Sequence, residues 1–329
     1  MNPTNEKVLV TGAGGFIGSH LVAALVETGA SVRAFVRYNS RNDVGMLNDL
    51  ESGVLAEVEI CFGDFEDLNT LKSSVRGVDT VFHLGALIAI PYSYKHPGDV
   101  VHANVVGTLH MLEVCREFGI KKLVQLSSSE VYGSALYLPI DEKHPLQAQS
   151  PYAASKIGSD QLALSYHRSF GLPVTLARPF NTYGPRQSGR AVIPAIISQA
   201  LFQSHVKIGN GTPIRDFCYV QDTVAGLLAI AASDSSVGEV VNFGTGKTIA
   251  ISGLADLIVK LVDRPLKINY EEVRSRPDAS EVTRLCADNT KARNLLQWEP
   301  QCRLHDGLLK TIDWIASHEG HVDSTVYNV

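Results

Sequence analysis

Cysteine is scarce: five in 329 residues (Cys61, Cys115, Cys218, Cys286, Cys302), with no Cys-x-x-Cys spacing. An odd, scattered set excludes a disulfide scaffold or a zinc ribbon and reads as reduced thiols of a cytoplasmic protein. Neither charge sign dominates: 29 Lys and Arg face 34 Asp and Glu, a formal net charge of −5, which leaves no basic footprint for nucleic acid. No apolar run is as long as a membrane span, so no membrane partner is expected. The first strand pattern also begins too early for a secretory leader. Internal repeats and low-complexity segments are missing as well. With 45% hydrophobic and 19% charged residues, the chain has the make-up of an ordinary globular enzyme with a large core.

What is present begins with Lys7-Val-Leu-Val-Thr11, a strand of the buried type, followed by Gly12-Ala-Gly14-Gly15-Phe16-Ile17-Gly18 and a helical pattern from Ser19. A Gly-rich turn between strand and helix brings backbone N–H groups up to a pyrophosphate at the helix start. Gly12 suits the tight turn, Gly14 the approach to phosphate and Gly18 the packing of helix on strand. The spacing, G-x-G-x-x-x-G, is one residue longer than the common G-x-G-x-x-G. The second strand pattern, 31–36, ends in Val36 and then Arg37, where NAD-preferring folds carry an acid for the ribose 2′-hydroxyl. Arg37 could pair with a 2′-phosphate, which tips the expectation from NAD towards NADP; as a surface charge it would do neither. Asp64 and Phe65 follow the third strand, and Asp64 is placed to accept from an adenine amino group or to cap the next helix, a role for which Asp67 competes.

A fourth strand pattern, Thr80-Val-Phe-His-Leu84-Gly85, leads through Ala86 into the unusually apolar loop 87–93. Ile88, Ala89 and Ile90 in that loop suit either a sugar's methyl group or plain core packing. Strands and helices alternate through this half, which predicts an α/β, doubly wound parallel sheet of Rossmann type. At the end of the strand pattern 122–127 stand Ser128, Ser129 and Glu130, and downstream lie Tyr152 and Lys156. Pro151 suits the first position of a helix, so Tyr152 and Lys156 share one face. An ammonium beside a phenol lowers the phenol's pKa, and such a Tyr can exchange a proton with a substrate hydroxyl while a nicotinamide takes the hydride.

After Pro179 the texture changes to loops rich in hydrogen-bond donors. Asn181, Arg190, Arg215 and Arg276 come from separate segments, as a diphosphate requires. The expected division is a dinucleotide domain, 1–179 with about 215–245, and a smaller α/β substrate domain, about 180–214 with 246–318. Residues 319–329 form a flexible tail in this reading.

Together, Thr11-Gly-Ala-Gly-Gly-Phe-Ile-Gly18, His83-Leu-Gly-Ala86, Tyr152-x-x-x-Lys156, Arg178-Pro-Phe-Asn181 and Arg215-Asp-Phe-x-Tyr-Val-x-Asp222 resemble the extended short-chain dehydrogenase/reductase family over nearly the whole chain. The family comprises nucleotide-sugar epimerases, dehydratases and decarboxylases. The resemblance implies a tightly bound NAD or NADP, a nucleotide-sugar substrate, and a homodimer through a four-helix interface built from 101–117 and 155–170. It also implies Ser128, Glu130, Tyr152 and Lys156 as the catalytic set, and Ser129, Asn181, Arg190, Arg215 and Arg276 as substrate contacts. The run Ser128-Ser129-Glu130 is similar to that of 4,6-dehydratases, with Ser129 where dTDP-glucose dehydratases carry an Asp. Segments 34–40, 86–93, 139–146 and 191–194 look closest to the N-acetylglucosamine 4,6-dehydratases of legionaminic-acid type pathways. A UDP-glucuronate decarboxylase and a 4-epimerase are the alternatives, and a non-catalytic NAD(P)-binding regulator is the alternative of another class.

Overall fold

A computed structural model describes residues 6–271 and 277–319. Arg276 and the expected tail beyond 319 lie outside the described residues. Seven parallel strands make the central sheet: β1 (Lys7–Thr11), β2 (Ser31–Arg37), β3 (Val58–Gly63), β4 (Thr80–His83), β5 (Lys122–Leu126), β6 (Val174–Pro179) and β7 (Val240–Phe243). Their order, β7-β6-β5-β4-β1-β2-β3, reverses direction between β1 and β4. That switch point leaves a crevice at the carboxyl ends of the strands, where ligands of such sheets bind.

Both faces of the sheet are covered, which is why β1 reads as a continuous apolar run. Val8 and Val10 pack on one face with Leu21 and Leu25 of the helix Phe16–Glu27. Leu9 points to the other face, among Met111 and Leu112 of the helix Gly107–Phe118. Burying each such side chain contributes roughly 1.5–3 kcal/mol. β2 runs one residue further than its pattern suggests and carries Arg37 at its tip. The first helix begins at Phe16, three residues before the apolar periodicity announces it, because the Gly-rich turn is already its first turn.

Beyond β6 the chain builds smaller sheets. Asn181–Tyr183 pairs with Phe217–Tyr219, Ile214–Arg215 with Ile249–Ala250, and His205–Ile208 with Lys267–Tyr270. The loop 184–190 folds back on the first helix, where His20 Nε2 contacts the Pro185 carbonyl at 2.9 Å and Nδ1 meets Arg186 Nη2 at 2.7 Å. With Nε2–H donating and Nδ1 accepting, the ring is neutral, and burial beside the Arg186 guanidinium pulls its pKa down to about 4.

His83 is likewise buried and neutral, held down to about 3 by burial and then by the Lys156 charge. Both rings take a proton less readily folded than unfolded, so the stability they confer is full above pH 6.5 and is lost as pH falls through about 4 and about 3. The loss is about 3 kcal/mol for His20 and about 5 kcal/mol for His83. Thermal unfolding followed from pH 7 downward should show this decline, and His20→Gln should remove part of it. A melting temperature equally pH-dependent in the variant would refute the assignment to His20.

Candidate active site

The Gly-rich turn joins β1 to a helix whose N-cap, Gly15, offers no side-chain cap to the first N–H groups. A Cβ on Gly18 would stand 2.2 Å from the Gly12 carbonyl oxygen, so only glycine lets the helix rest on the end of β1. Gly14 is glycine for a reason the motif does not announce: a Cβ there would meet the Val44 carbonyl oxygen at 2.6 Å. Beside this turn lies a cavity of about 590 Å³ lined by Gly12, Arg37, Asp64, Phe65, Ala86 and Leu87, among others. It sits at the carboxyl ends of β1 to β4, at the switch point. The dinucleotide residues expected from the sequence thus converge: Gly12, Arg37, Asp64, Phe65 and Ala86 line the cavity, Gly14, Gly15, Phe16, Ile17 and Gly18 form the turn and helix start, and Leu84 packs beneath. An uncapped helix start, preceded by a turn whose Gly12 lines a crevice of this size, fits a dinucleotide's pyrophosphate.

The two roles weighed for Asp64 separate cleanly. Asp67 is the helix cap, accepting from Asn69 N at 3.0 Å and Thr70 N at 3.3 Å. Asp64 turns its own loop by accepting from Glu66 N at 3.1 Å and remains on the cavity wall. Phe65 stacks on Phe35, with ring centroids 5.6 Å apart, and meets His83 edge-on.

The helix Pro151–Phe170 has Pro151 in its first turn and Ser150 as its cap, accepting from Ala153 N at 3.1 Å. Tyr152 and Lys156 are both buried on its inner face. Opposite them, Ser128 opens the 3₁₀ turn Ser129–Tyr132 at the end of β5, and its Oγ accepts from Glu130 N at 3.2 Å. The Ser128 hydroxyl and the Glu130 carboxyl both act electrostatically on the Tyr152 phenol, which brings three of the four expected catalytic residues together, and Lys156 lies one turn along the same helix.

The phenol's electrostatics differ from the expectation. Burial pushes the Tyr152 pKa up to about 12, with the Ser128 hydrogen bond working against it and the Glu130 and Asp160 charges adding to it. The Lys156 ammonium points away, donating to the Leu126 carbonyl oxygen at 2.6 Å, and burial lowers its own pKa. Helical spacing put Lys156 on the right face but could not reveal this competing acceptor at the end of β5.

The apolar loop after β4 divides its residues. Ile90 is buried with Val100 against Tyr152, whereas Ile88 is exposed. Asn104 holds this loop, accepting from Leu87 N at 2.7 Å and donating to Leu87 O and Ser155 Oγ at 2.9 Å. Leu87 and Tyr92 line the first cavity, and Pro91 lines a second of about 350 Å³. Asn181, Arg190 and Arg215 line that second cavity too, together with Gln187, Lys207 and Glu281. Ser129 is buried in the 3₁₀ turn and is not among its lining residues. Arg215 is paired with Glu281 at 3.0 Å, and the Asn181 amide oxygen is buried without a hydrogen-bond partner.

Segment 279–284 straps the two halves together. Ser280 Oγ donates to the Gln149 carbonyl oxygen, Tyr94 Oη donates to Ser280 Oγ, and Thr283 N donates to Ser134 Oγ. Gln187, Lys207, Glu281 and the strap were not found by motif reading. Their only sequence signal is polarity, in loops or, for Lys207, on the short strand His205–Ile208.

A doubly wound sheet, a Gly-rich dinucleotide turn, and Tyr152 and Lys156 buried on one helix face opposite Ser128 define an extended short-chain dehydrogenase/reductase. Residues 9–311 match the family described as GDP-mannose 4,6 dehydratase, and the chain belongs to this family of nucleotide-sugar-modifying enzymes. It is 33% identical over 315 residues to a dTDP-glucose 4,6-dehydratase from an Actinoplanes species, covering 94% of this chain and 97% of that one. It is equally 33% identical, over 319 residues, to UDP-glucuronic acid decarboxylase 5 of Arabidopsis thaliana, with 93% and 88% covered. Among solved structures, UDP-glucuronic acid 4-epimerase from Bacillus cereus, in complex with UDP-glucuronic acid and NAD, superposes with a TM-score of 0.86 at 30% identity, covering 95% and 99%. Three activities therefore lie at the same distance. Among the described residues no helix is long and apolar enough to cross a membrane.

Proposed function

We propose that the protein is a nucleotide-sugar 4,6-dehydratase acting on UDP- or GDP-N-acetylglucosamine. The observation that carries this reading is the position of Glu130, a buried acid in the same cluster as Ser128 and Tyr152. A 4-epimerase needs only a proton acceptor at the 4-hydroxyl. Loss of water needs a further group to take the proton from carbon 5 and return one to the departing 6-hydroxyl. Glu130 can do both in turn, because the proton it gains is the proton it gives, and as hydride returns to carbon 6 a proton equivalent to the one taken from the 4-hydroxyl goes back to carbon 5. Tyr152 takes the 4-hydroxyl proton, and Ser128 hydrogen-bonds the oxygen as it becomes a ketone. The nicotinamide, when bound, supplies a hydride acceptor at carbon 4 and a donor at carbon 6, so the reaction is redox-neutral.

The first cavity holds the dinucleotide in this reading, and the second the nucleoside diphosphate, with Asn181, Arg190 and Arg215 as donors. Of the two cofactors, NAD now has the better case. Asp64, Glu66 and Asp99 line the first cavity against a single guanidinium, Arg37, and carboxylates repel a 2′-phosphate. The exposed Val101 and Phe170, on the helices predicted to pair between subunits, favour a homodimer.

Incubating the protein with UDP- and GDP-N-acetylglucosamine and NAD, without added reductant, should give a product lighter by one water in the mass spectrum. Unchanged sugars, with carbon dioxide released from UDP-glucuronate, would replace this reading with the decarboxylase.

A further inference from the structure

Two turns along the catalytic helix from Tyr152, and one from Lys156, stands Asp160, which is completely buried. Its Oδ2 accepts three hydrogen bonds: from Ser127 Oγ at 2.6 Å, and from Arg178 Nη2 at 2.9 Å and Nε at 3.2 Å. Arg178, on β6, is also buried, and its Nη1 donates to Tyr132 Oη at 3.0 Å while the guanidinium lies over the Tyr132 ring. Tyr132 in turn donates to Asn242 on β7 at 2.8 Å. One ion pair thus fastens both ends of the catalytic run, Ser127 before Ser128 and Tyr132 after Glu130, to the helix that carries Tyr152 and Lys156. The other Asp160 oxygen, Oδ1, is buried without a hydrogen bond. A hydrophobic pair of the same volume would serve stability as well or better, so a buried, incompletely bonded charge is not explained by packing.

We propose that Asp160, braced by Arg178, is a positioning residue of the catalytic cluster, which sets both the register of Ser128 and Glu130 against Tyr152 and the field in which the Tyr152 and Lys156 protons move. The proposal rests on the reading of Tyr152 and Lys156 as the proton-transfer pair. The charged and titratable groups facing that pair are Glu130 from the turn, His83 from β4, Asp160 from the helix itself and, through Asp160, Arg178 from β6.

The sign of the effect follows from the charge. The Asp160 carboxylate raises the pKa of the Tyr152 phenol and of the Lys156 ammonium alike. Removing it lets the phenol ionise, and the ammonium lose its proton, at lower pH. Both limbs of a pH–rate profile should then move in the same direction.

The test uses the full-length protein carrying Asp160→Asn, which keeps shape and removes charge, with Asp160→Glu as the conservative variant. Reduction of bound nicotinamide is followed across pH with whichever sugar nucleotide the wild type oxidises. Both limbs should shift to lower pH by on the order of one unit. The rate should fall on the order of 10²-fold with KM little changed, and Asp160→Glu should restore part of it. A lower rate with limbs unmoved would mean a structural role only, and overturns the proposal.

A second readout needs no substrate: the tyrosinate absorbance of the protein minus that of its Tyr152→Phe counterpart. This difference titration should lie at lower pH in the Asp160→Asn background, and an unmoved titration overturns the proposal whichever sugar is turned over. Should Asp160→Asn fail to fold with Arg178 left uncompensated, Asp160→Asn combined with Arg178→Met removes both charges and should shift the same titration the same way.

Discussion

Glu130→Gln should lower water loss by on the order of 10²- to 10⁴-fold while oxidation at carbon 4 proceeds. The two halves separate because they use different groups. In the proposed reaction Tyr152 and Ser128 act at the 4-hydroxyl, and neither is altered by the change. Glutamine fills the same space beside Tyr152 but cannot accept the carbon-5 proton. In a single turnover the bound nicotinamide should become reduced and remain so, with a 4-keto sugar of unchanged mass trapped as its deuterated 4-alcohol after borodeuteride quench. Full dehydration by the variant would remove Glu130 from the mechanism. A change at Glu130 that abolished nicotinamide reduction instead would mean that its charge is needed at the first proton transfer.

The second large effect belongs to Tyr152. Tyr152→Phe deletes the proton acceptor at carbon 4 and should reduce the overall rate by on the order of 10²- to 10⁴-fold with the dinucleotide still bound. Its pH dependence should be as informative as its size. Burial holds this phenol near about 12, so a neutral solution contains very little phenolate. For the enzyme to work at neutral pH, the Lys156 ammonium must leave the Leu126 carbonyl, which it now meets at 2.6 Å, and turn its charge on the phenol. The acidic limb of nicotinamide reduction in the wild type should therefore lie well below the phenol's value in the free protein. Lys156→Ala should drag that limb upward. A limb indifferent to Lys156 would assign the activation of Tyr152 to another charge.

Much of this was legible in the sequence because it depends on short-range chemistry. A strand, a glycine turn and a helix in succession can be read from periodicity alone, and Tyr152 and Lys156 fall on one helical face whatever the rest of the fold does. Spacing and motif singled out the four residues proposed as catalytic, and also Asn181, Arg190 and Arg215, which line the second cavity. What could not be read depends on contacts between distant segments. Nothing near Lys156 in the sequence announces the Leu126 carbonyl. Nothing near Gly14 announces Val44, and Arg215 lies 66 residues from the Glu281 that pairs with it. Asp160 is the intermediate case, since its i+4 and i+8 spacing from Lys156 and Tyr152 is visible, but its partner Arg178 becomes known only when β6 is laid beside the helix.

The strap through Ser280 and Thr283 bears on how such a protein can diversify. Its hydrogen bonds run to Tyr94, Gln149 and Ser134, which belong to three separate stretches of the other half, while the neighbouring Glu281 reaches into the second cavity. With the second cavity proposed as the nucleoside diphosphate site, a change of nucleotide preference therefore cannot be transplanted as one loop. Grafting 279–284 from a relative would leave Ser134 and the cap region of the catalytic helix facing unfamiliar partners. Chimeras should keep their activity only when 134–149 and the loop after β4 travel with the strap. In this architecture specificity is inherited as a set of contacts rather than as a segment.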